Sequence, residues 1–100
     1  MKLGILVNTD KHLGHILGMV KAALSRGHEI TIFVMDTGTM LLNNPAFDEL
    51  CLLHGVSMSF CELCANKGGV ITEGLPAEIQ CGNQYNNAVM VNESDRVLVF

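Results

Sequence analysis

The strongest constraint on the fold is an alternation between short apolar runs and longer segments with helical spacing. Residues 3–7 (LGILV) form a continuous apolar run of strand length, as in a parallel strand covered on both faces. Apolar side chains then recur at helical spacing over residues 13–24, and Gly27 predicts the end of that helix. Residues 28–35 (HEITIFVM) are rich in β-branched and aromatic side chains, and they follow the first run after roughly 20 residues, which suits a crossover between parallel strands. The chain therefore opens as a β-α-β unit.

Helix and strand signals alternate in the same way to the end of the chain. Asn44 and Pro45 are typical of an N-cap and a first helical residue, and the helix that they open should stop at Gly55. The expected cap of the first helix is Thr9 or Asp10. The predicted architecture is one sheet of five parallel strands with helices on both faces. We expect strands near residues 2–8, 28–36, 56–61, 77–80 and 95–100, and the two remaining helices near residues 62–67 and 85–92.

Length and composition limit what such a chain can be. One hundred residues can build one self-supporting core, so we expect a single domain over residues 1–100. The chain is 49% hydrophobic and 16% charged, which is apolar for a small monomer and predicts a homo-oligomer. Met40, Leu41 and Leu42 interrupt an expected polar loop and are the candidate contact surface. The net charge is −4 and the six basic residues do not cluster, so neither nucleic acid nor a membrane is an expected partner.

The N-terminal segment shows no export signal. Its apolar run meets polar residues at Asn8 and is too short for a signal peptide or a membrane span, which predicts a cytoplasmic protein. The four cysteines are then expected to be reduced thiols rather than a disulfide framework. Reactivity, metal binding or packing must account for them.

Cys61 is the leading candidate for a reactive residue. Val56, Met58 and Phe60 predict a buried strand, and Cys61 stands where that strand gives way to a helix. Ligands and reactive groups gather at this edge of an α/β sheet. The free N–H groups and positive dipole end of the following helix favour thiolate over thiol, which predicts nucleophilic sulfur chemistry. The alternative is an inert cysteine that fills a gap in the core.

Cys64 gives the same segment a second interpretation. Cys61 and Cys64 have the spacing of a dithiol redox motif, and residues i and i+3 at a helix start can lie close enough for a disulfide. Thioredoxin-like motifs usually have tryptophan, glycine and proline around the cysteines and follow an early strand. Neither feature is present, so redox exchange is the weaker interpretation.

A zinc site is a third interpretation of the cysteines. Cys51 with His54 and Cys61 with Cys64 look like two pairs of metal ligands. His54, however, is expected at the amino edge of the sheet, and Cys61 at the other end of a strand, roughly 15 Å away at about 3.3 Å per residue. Four ligands must surround one ion, so no metal is expected. Cys51, which lies among leucines, is most simply a core residue.

Three further residues are possible accessories to Cys61. Asp36 and His12 follow the second and first strands and should share the sheet edge with Cys61. Cys81 lies in a loop and is either an accessory or resolving thiol or an exposed bystander. His12 and His15 share a helix face, where a solvated pair is a simpler interpretation than a pair of metal ligands.

The turn after the first strand carries no nucleotide-binding motif. Residues 8–15 (NTDKHLGH) lack the Ser/Thr/Gly-rich run of flavin mononucleotide proteins and the dinucleotide pattern G-x-G-x-x-G. No cofactor is therefore expected.

Five features, in this order and spacing, carry a resemblance to a known family. They are KLGILVN (2–8), FVMDTGT (33–39), HGVSMSFC (54–61), Gly69-Val70 placed eight residues after Cys61, and SDRVLVF (94–100). Over essentially all 100 residues, the chain resembles the DsrE/DsrF-like family of small sulfur-relay proteins, which includes the TusD-like subunits. The resemblance implies a three-layer α/β/α fold around a five-stranded parallel sheet, often assembled as a trimer or hexamer or with related subunits.

The resemblance also implies a role for Cys61. In relay members the cysteine after the third strand accepts sulfane sulfur as a persulfide, and this cysteine corresponds to Cys61. Cys64 occupies a position where relay subunits commonly carry a small residue such as alanine. That departure leaves room for disulfide chemistry.

The leading hypothesis is a cytosolic sulfur carrier, or sulfurtransferase-like protein, that needs no external cofactor. The Cys61 thiolate would take sulfane sulfur from a donor protein, hold it as a persulfide and yield it to an acceptor thiol. Two alternatives remain open. One is a non-enzymatic oligomeric binding or assembly protein with an inert Cys61, and the other is a Cys61/Cys64 dithiol redox protein.

Overall fold

The computed structural model describes residues 1–100 and contains one all-parallel sheet flanked by helices. The strands are β1 (Lys2–Val7), β2 (Glu29–Val34), β3 (Val56–Cys61), β4 (Ile79–Gly82) and β5 (Arg96–Val99). The α-helices are α1 (Leu13–Ser25), α2 (Pro45–Asp48), α3 (Glu62–Lys67) and α4 (Gln84–Glu93). A first 3₁₀ helix spans Asp36–Asn43 and a second spans Glu49–Leu52. The predicted α/β architecture with a five-stranded parallel sheet is confirmed. No helix is both long and apolar enough to cross a bilayer.

The strand order explains which helix covers which face. The strands lie in the order β4-β3-β2-β1-β5. Three successive crossovers, from β1 to β4, advance in one direction, so the right-handed rule places α1 to α3 on one face. The last crossover returns to the other side of β1 and places α4 on the opposite face.

The two faces of the sheet are unequally filled. On the α1 face, 19 buried residues form the main core, built from alternate strand positions such as Ile32 and Phe60. On the α4 face the buried cluster contains only Phe33, Cys61 and Met90. The alternation along β3 therefore points Phe60 into the main core and Cys61 towards the thinly covered face.

The starts of α1 and β4 differ from prediction. The prediction that Thr9 or Asp10 caps α1 is wrong, because α1 begins after His12 and has no side-chain cap. The strand expected at residues 77–80 is present as β4 but begins two residues later. Residues 77 and 78 form a turn instead, in which the Ile79 N–H donates to the carbonyl of Pro76 at 3.0 Å.

The first 3₁₀ helix replaces the expected polar loop after β2. Leu41 and Leu42 are buried in the main core, and only Met40 is exposed, at 49%. The predicted contact surface of three apolar residues is therefore wrong. Burying both leucines removes apolar area from water, and this favours the regular turn over an open loop.

The second α-helix begins as predicted, but it is shorter than predicted and continues as a 3₁₀ helix. The Asn44 side chain accepts a hydrogen bond from the Ala46 N–H at 3.0 Å, with Pro45 as the first helical residue. After Asp48 the chain continues as the second 3₁₀ helix rather than as an α-helix up to residue 54. Gly55, at φ +91°, then turns the chain into β3.

Candidate functional site

Cys61 is both the last residue of β3 and the N-cap of α3. Its backbone is extended, with φ −80° and ψ 113°, and its Sγ accepts a hydrogen bond from the Cys64 N–H at 3.5 Å. The sulfur thus satisfies one of the free N–H groups at the start of α3, a role that oxygen side chains usually play. The side chain is 5% exposed and packs with Phe33 and Met90. These contacts hold the sulfur at the carboxyl edge of the sheet.

A cavity of about 570 Å³ lies beside Cys61. Its wall combines the first turn of α3 with the end of β4 and the start of α4. The lining residues are Cys61, Glu62, Leu63, Cys81, Gly82, Asn83, Gln84 and Tyr85. They include one carboxylate and no basic side chain, so the cavity does not favour a large anionic ligand.

Sequence reasoning missed the α4 side of this cavity. Cys61 pairs with Gly82 across β3 and β4, so the residues that follow β4 lie directly beside the sulfur. Asn83 caps α4, because its side chain accepts from the Tyr85 N–H at 2.8 Å while Asn86 Oδ1 accepts from the Asn83 N–H at 3.0 Å. These residues could have been found only from the pairing of β4 with β3, and local sequence patterns do not show which strands pair.

Cys64 lies on the other side of the same turn, against Asp36. Its Sγ–H donates to Asp36 Oδ1 at 4.0 Å, and Asp36 has φ +48° in the turn after β2. Burial is the main cause that raises the pKa of the Cys64 thiol. The Asp36 backbone N–H offsets part of this rise, whereas the Cys61 sulfur and the Asp36 carboxylate add to it. Cys64 is therefore held as a protonated thiol at neutral pH.

Cys64 lines a second cavity, of about 450 Å³. The lining residues are Asp36, Thr37, Thr39, Met40, Leu63, Cys64, Lys67 and Gly68. Leu63, which is 63% exposed, belongs to both walls. The first turn of α3 therefore forms a ridge with Cys61 opening to one side and Cys64 to the other.

Cys81 lines the first cavity with Cys61. It is exposed, and its Sγ–H donates to Glu62 Oε2 at 2.7 Å. This hydrogen bond is the main cause that raises the pKa of Cys81, and burial and the negative charge of Glu62 add to the effect. Cys81 is therefore accessible but is held in its protonated, poorly nucleophilic form.

The fourth cysteine lies in the main core. Cys51 is buried, and burial raises its pKa, with smaller contributions from the charges of Glu78 and Asp48. These surroundings favour an inert thiol. No group of three or more Cys, His, Asp or Glu side chains comes together as a potential metal site.

His12 lies at the β1 end of the same sheet edge. Its ring centroid is 5.9 Å from that of His15 and 6.3 Å from that of Phe100. Since β2 separates β1 from β3, roughly 10 Å lies between these two strands. Asp36 and Cys81 are therefore the predicted accessories that the fold brings next to the Cys61/Cys64 turn, whereas His12 packs elsewhere.

The chain matches one family model and is similar in fold to several solved structures. The model described as the DsrE/DsrF-like family matches residues 1–100. The ychN protein from E. coli has 14% identity and a TM-score of 0.73, over 99% of this chain and 97% of that chain. MTH1491 from Methanobacterium thermoautotrophicum has 12% identity and a TM-score of 0.78, over 99% and 98% of the two chains. BT1422 from Bacteroides thetaiotaomicron has 17% identity and a TM-score of 0.77, over 99% and 94%.

These comparisons differ in what they establish. At 12–17% identity the solved structures show the fold alone, and MTH1491 and BT1422 are described as proteins of unknown function. A comparison with curated proteins finds no match. The function must therefore be argued from the site.

Proposed function

The chain belongs to the DsrE/DsrF-like family, which is associated with sulfur relay, and on that premise we propose that Cys61 carries sulfane sulfur as a persulfide. The observation that carries the proposal is the position of the Cys61 sulfur. It lies at the carboxyl edge of the sheet, accepts an N–H at the start of α3 and faces a cavity of about 570 Å³. This position combines a fixed sulfur with room for a second sulfur atom.

Loading and delivery are two thiol–persulfide exchange steps. In loading, the Cys61 thiolate attacks the outer sulfur of a donor persulfide, R–S–SH, and forms a new S–S bond to that sulfur. The donor's S–S bond breaks, and the donor leaves as a thiolate that takes a proton from water. In delivery, an acceptor thiolate attacks the outer sulfur of the Cys61 persulfide and Cys61 leaves as the thiolate. Neither step changes the net oxidation state, so the exchange needs no redox cofactor.

Neighbouring thiols support the assignment to Cys61. The hydrogen bond to Glu62 is the main cause of the raised pKa of Cys81. Burial is the main cause of the raised pKa of Cys51 and of Cys64. A raised pKa lowers the thiolate fraction, and the thiolate is the nucleophile. The Cys61 sulfur instead accepts the Cys64 N–H, whereas the Cys64 and Cys81 thiols donate to carboxylates.

The surroundings of Cys61 support a partner protein as the source and destination of sulfur. Cys61 is 5% exposed, so a donor or acceptor reaches its sulfur through the cavity. Leu63 and Tyr85, at the rim of the cavity, are 63% and 74% exposed and offer apolar contact area. Partly exposed apolar and aromatic side chains are typical of protein contact surfaces. The proposed partners are a donor protein and an acceptor protein.

The proposed setting is a cytoplasmic homo-oligomer, either a trimer or a hexamer, of single-domain chains, or an assembly with related subunits. Several large apolar side chains lie exposed on the isolated chain, which supports association: Leu52, Leu63, Ile71, Tyr85, Val91 and Val99. Light scattering tests this point directly. A 10.8 kDa monomer alone at micromolar concentration would contradict it.

Sulfur loading tests the proposed function. Reduced protein is incubated with cysteine persulfide, desalted and measured by intact mass. The wild type should gain one sulfur atom per chain, and Cys61→Ser should gain none. Cys51→Ser and Cys81→Ser are matched controls for a buried and an exposed thiol, and both should load like the wild type.

Two outcomes would contradict the proposal in different ways. Loading that survives in folded Cys61→Ser would place the sulfur on another residue. Failure of every variant to load would favour the oligomeric binding protein with an inert Cys61.

A further inference from the structure

We propose that Cys64 discharges the Cys61 persulfide, so that the carried sulfur leaves as sulfide while Cys61 and Cys64 close a disulfide. This activity rests on the proposed persulfide at Cys61. It adds a second route for the sulfur, because release as sulfide needs no acceptor protein.

The geometry of Cys61 and Cys64 supports this step. Cys61 is the N-cap of α3, and Cys64 stands one turn later with its N–H 3.5 Å from the Cys61 sulfur. Both side chains are free thiols and pack on the same small cluster, around Phe33 and Met90. Cysteines separated by two residues at the start of a helix have the spacing at which a disulfide closes across the first turn.

The two cysteines also line different cavities. Cys61 opens to the cavity of about 570 Å³ and Cys64 to the cavity of about 450 Å³, and Leu63 forms the ridge between them. A sulfur donor at Cys61 therefore leaves Cys64 free. A reductant can later reach Cys64 without passing through the donor cavity.

The chemical step balances without an external oxidant. The Cys64 thiolate attacks the inner sulfur of the persulfide, which is Cys61 Sγ, and an Sγ–Sγ bond forms. The bond from Cys61 Sγ to the outer sulfur breaks, and the outer sulfur leaves with both bonding electrons as HS⁻. The two cysteine sulfurs together lose two electrons and the sulfane sulfur gains two. The Cys64 proton goes to water, and a dithiol reductant afterwards restores both thiols.

The surroundings of Cys64 set when discharge occurs. Burial, the Cys61 sulfur and the Asp36 carboxylate together raise the pKa of Cys64, despite the opposing Asp36 backbone N–H. Because the thiolate attacks, discharge should be slow at neutral pH. It should accelerate about tenfold per pH unit until the pH exceeds the raised pKa of Cys64. Loading and discharge are therefore separated in time.

The experiment follows the fate of one loaded sulfur atom. Reduced wild type, Cys64→Ser, Cys64→Ala and the control Cys51→Ser, whose thiol lies in the main core outside both cavities, are loaded with inorganic polysulfide at pH 7 and desalted. Each is then incubated at pH 7, 8 and 9 without added thiol. Intact mass reports the persulfide and the disulfide, and methylene-blue colorimetry reports sulfide.

The expected result is a difference in lifetime. The wild type and Cys51→Ser should pass from the persulfide to the disulfide and release one sulfide per chain, faster at higher pH. Both Cys64 variants should keep the sulfur at least about tenfold longer, because an intramolecular thiol acts at a high effective concentration. Peptide mapping should place the disulfide between Cys61 and Cys64.

The outcomes separate this inference from the proposed function. Loading on Cys61 with equal lifetimes in the wild type and the folded Cys64 variants would overturn the inference alone and leave the carrier intact. Absence of loading on Cys61 would overturn both.

Discussion

Replacing Gly38 by alanine tests whether the first 3₁₀ helix is held against β1 by direct backbone contact. A Cβ at Gly38 would overlap the carbonyl oxygen of Val7 and lie 2.9 Å from its carbonyl carbon, whereas ordinary contact begins at 3.4 Å. The same oxygen accepts a hydrogen bond from the Met35 N–H at 2.9 Å. The carbonyl cannot rotate aside without weakening this bond, so the helix and the strand end must separate.

The overlap gives a rough magnitude for the loss of stability. Adding one carbon to a well-packed site costs about 1 to 3 kcal/mol, and a backbone neighbour yields less than a side chain. We therefore expect Gly38→Ala to lower the free energy of unfolding by about 2 to 3 kcal/mol. For a chain of this size, that corresponds to a fall of roughly 8 to 24 °C in Tm.

Urea unfolding followed by far-UV circular dichroism measures this difference, with protein concentration held equal because association shifts apparent stability. Gly18→Ala is the matched control, since nothing lies within 4 Å of its Cβ and it stands inside α1. It should gain roughly 0.5 to 1 kcal/mol, because alanine favours a helix interior over glycine. A Gly38→Ala protein within about 0.5 kcal/mol of the wild type would refute the packing argument, given the usual scatter of neutral substitutions.

Three further substitutions test other parts of the structure. Asn83→Ala removes the cap of α4 and should cost about 1 kcal/mol in urea unfolding, and no loss would show that the cap is dispensable. Burial raises the pKa of Asp48 from 3.8 to about 6, so its contribution to stability is complete below about pH 4 and is lost as the pH rises through 6. Asp48→Asn should therefore be more stable than the wild type at pH 7, on the order of 1 kcal/mol after allowance for solvent screening, with the gain absent at pH 4. Glu62→Gln should lower the pKa of Cys81 and speed the alkylation of Cys81 by iodoacetamide several-fold at pH 8. The control Glu78→Gln should leave the alkylation rate unchanged, and the same unchanged rate in Glu62→Gln would contradict the hydrogen bond between Cys81 and Glu62.

The sequence is enough to predict the strands, most of the helices and the parallel sheet. A continuous apolar run predicts β1, a run rich in β-branched and aromatic side chains predicts β2, and apolar side chains at alternate positions predict β3, each to within about two residues. Asn44 and Pro45 mark the start of α2. The residues next to Cys61 also predict that it ends a strand and precedes a helix, and the structure has it as the last residue of β3 and the N-cap of α3. These features could be predicted because periodicity, capping and turn preference act over a few adjacent residues.

The surroundings of Cys61 depend on the packing of distant segments. Asp36 meets Cys64 across 28 residues of sequence, and Cys81 meets Glu62 across 19, because β2 and β4 both lie next to β3 in the sheet. Local patterns carry no information about strand order or register, since any parallel neighbour can satisfy the backbone of β3. For the same reason the sequence placed His12 and Asp36 alike at the edge, whereas the strand order brings only Asp36 to the turn that holds both thiols.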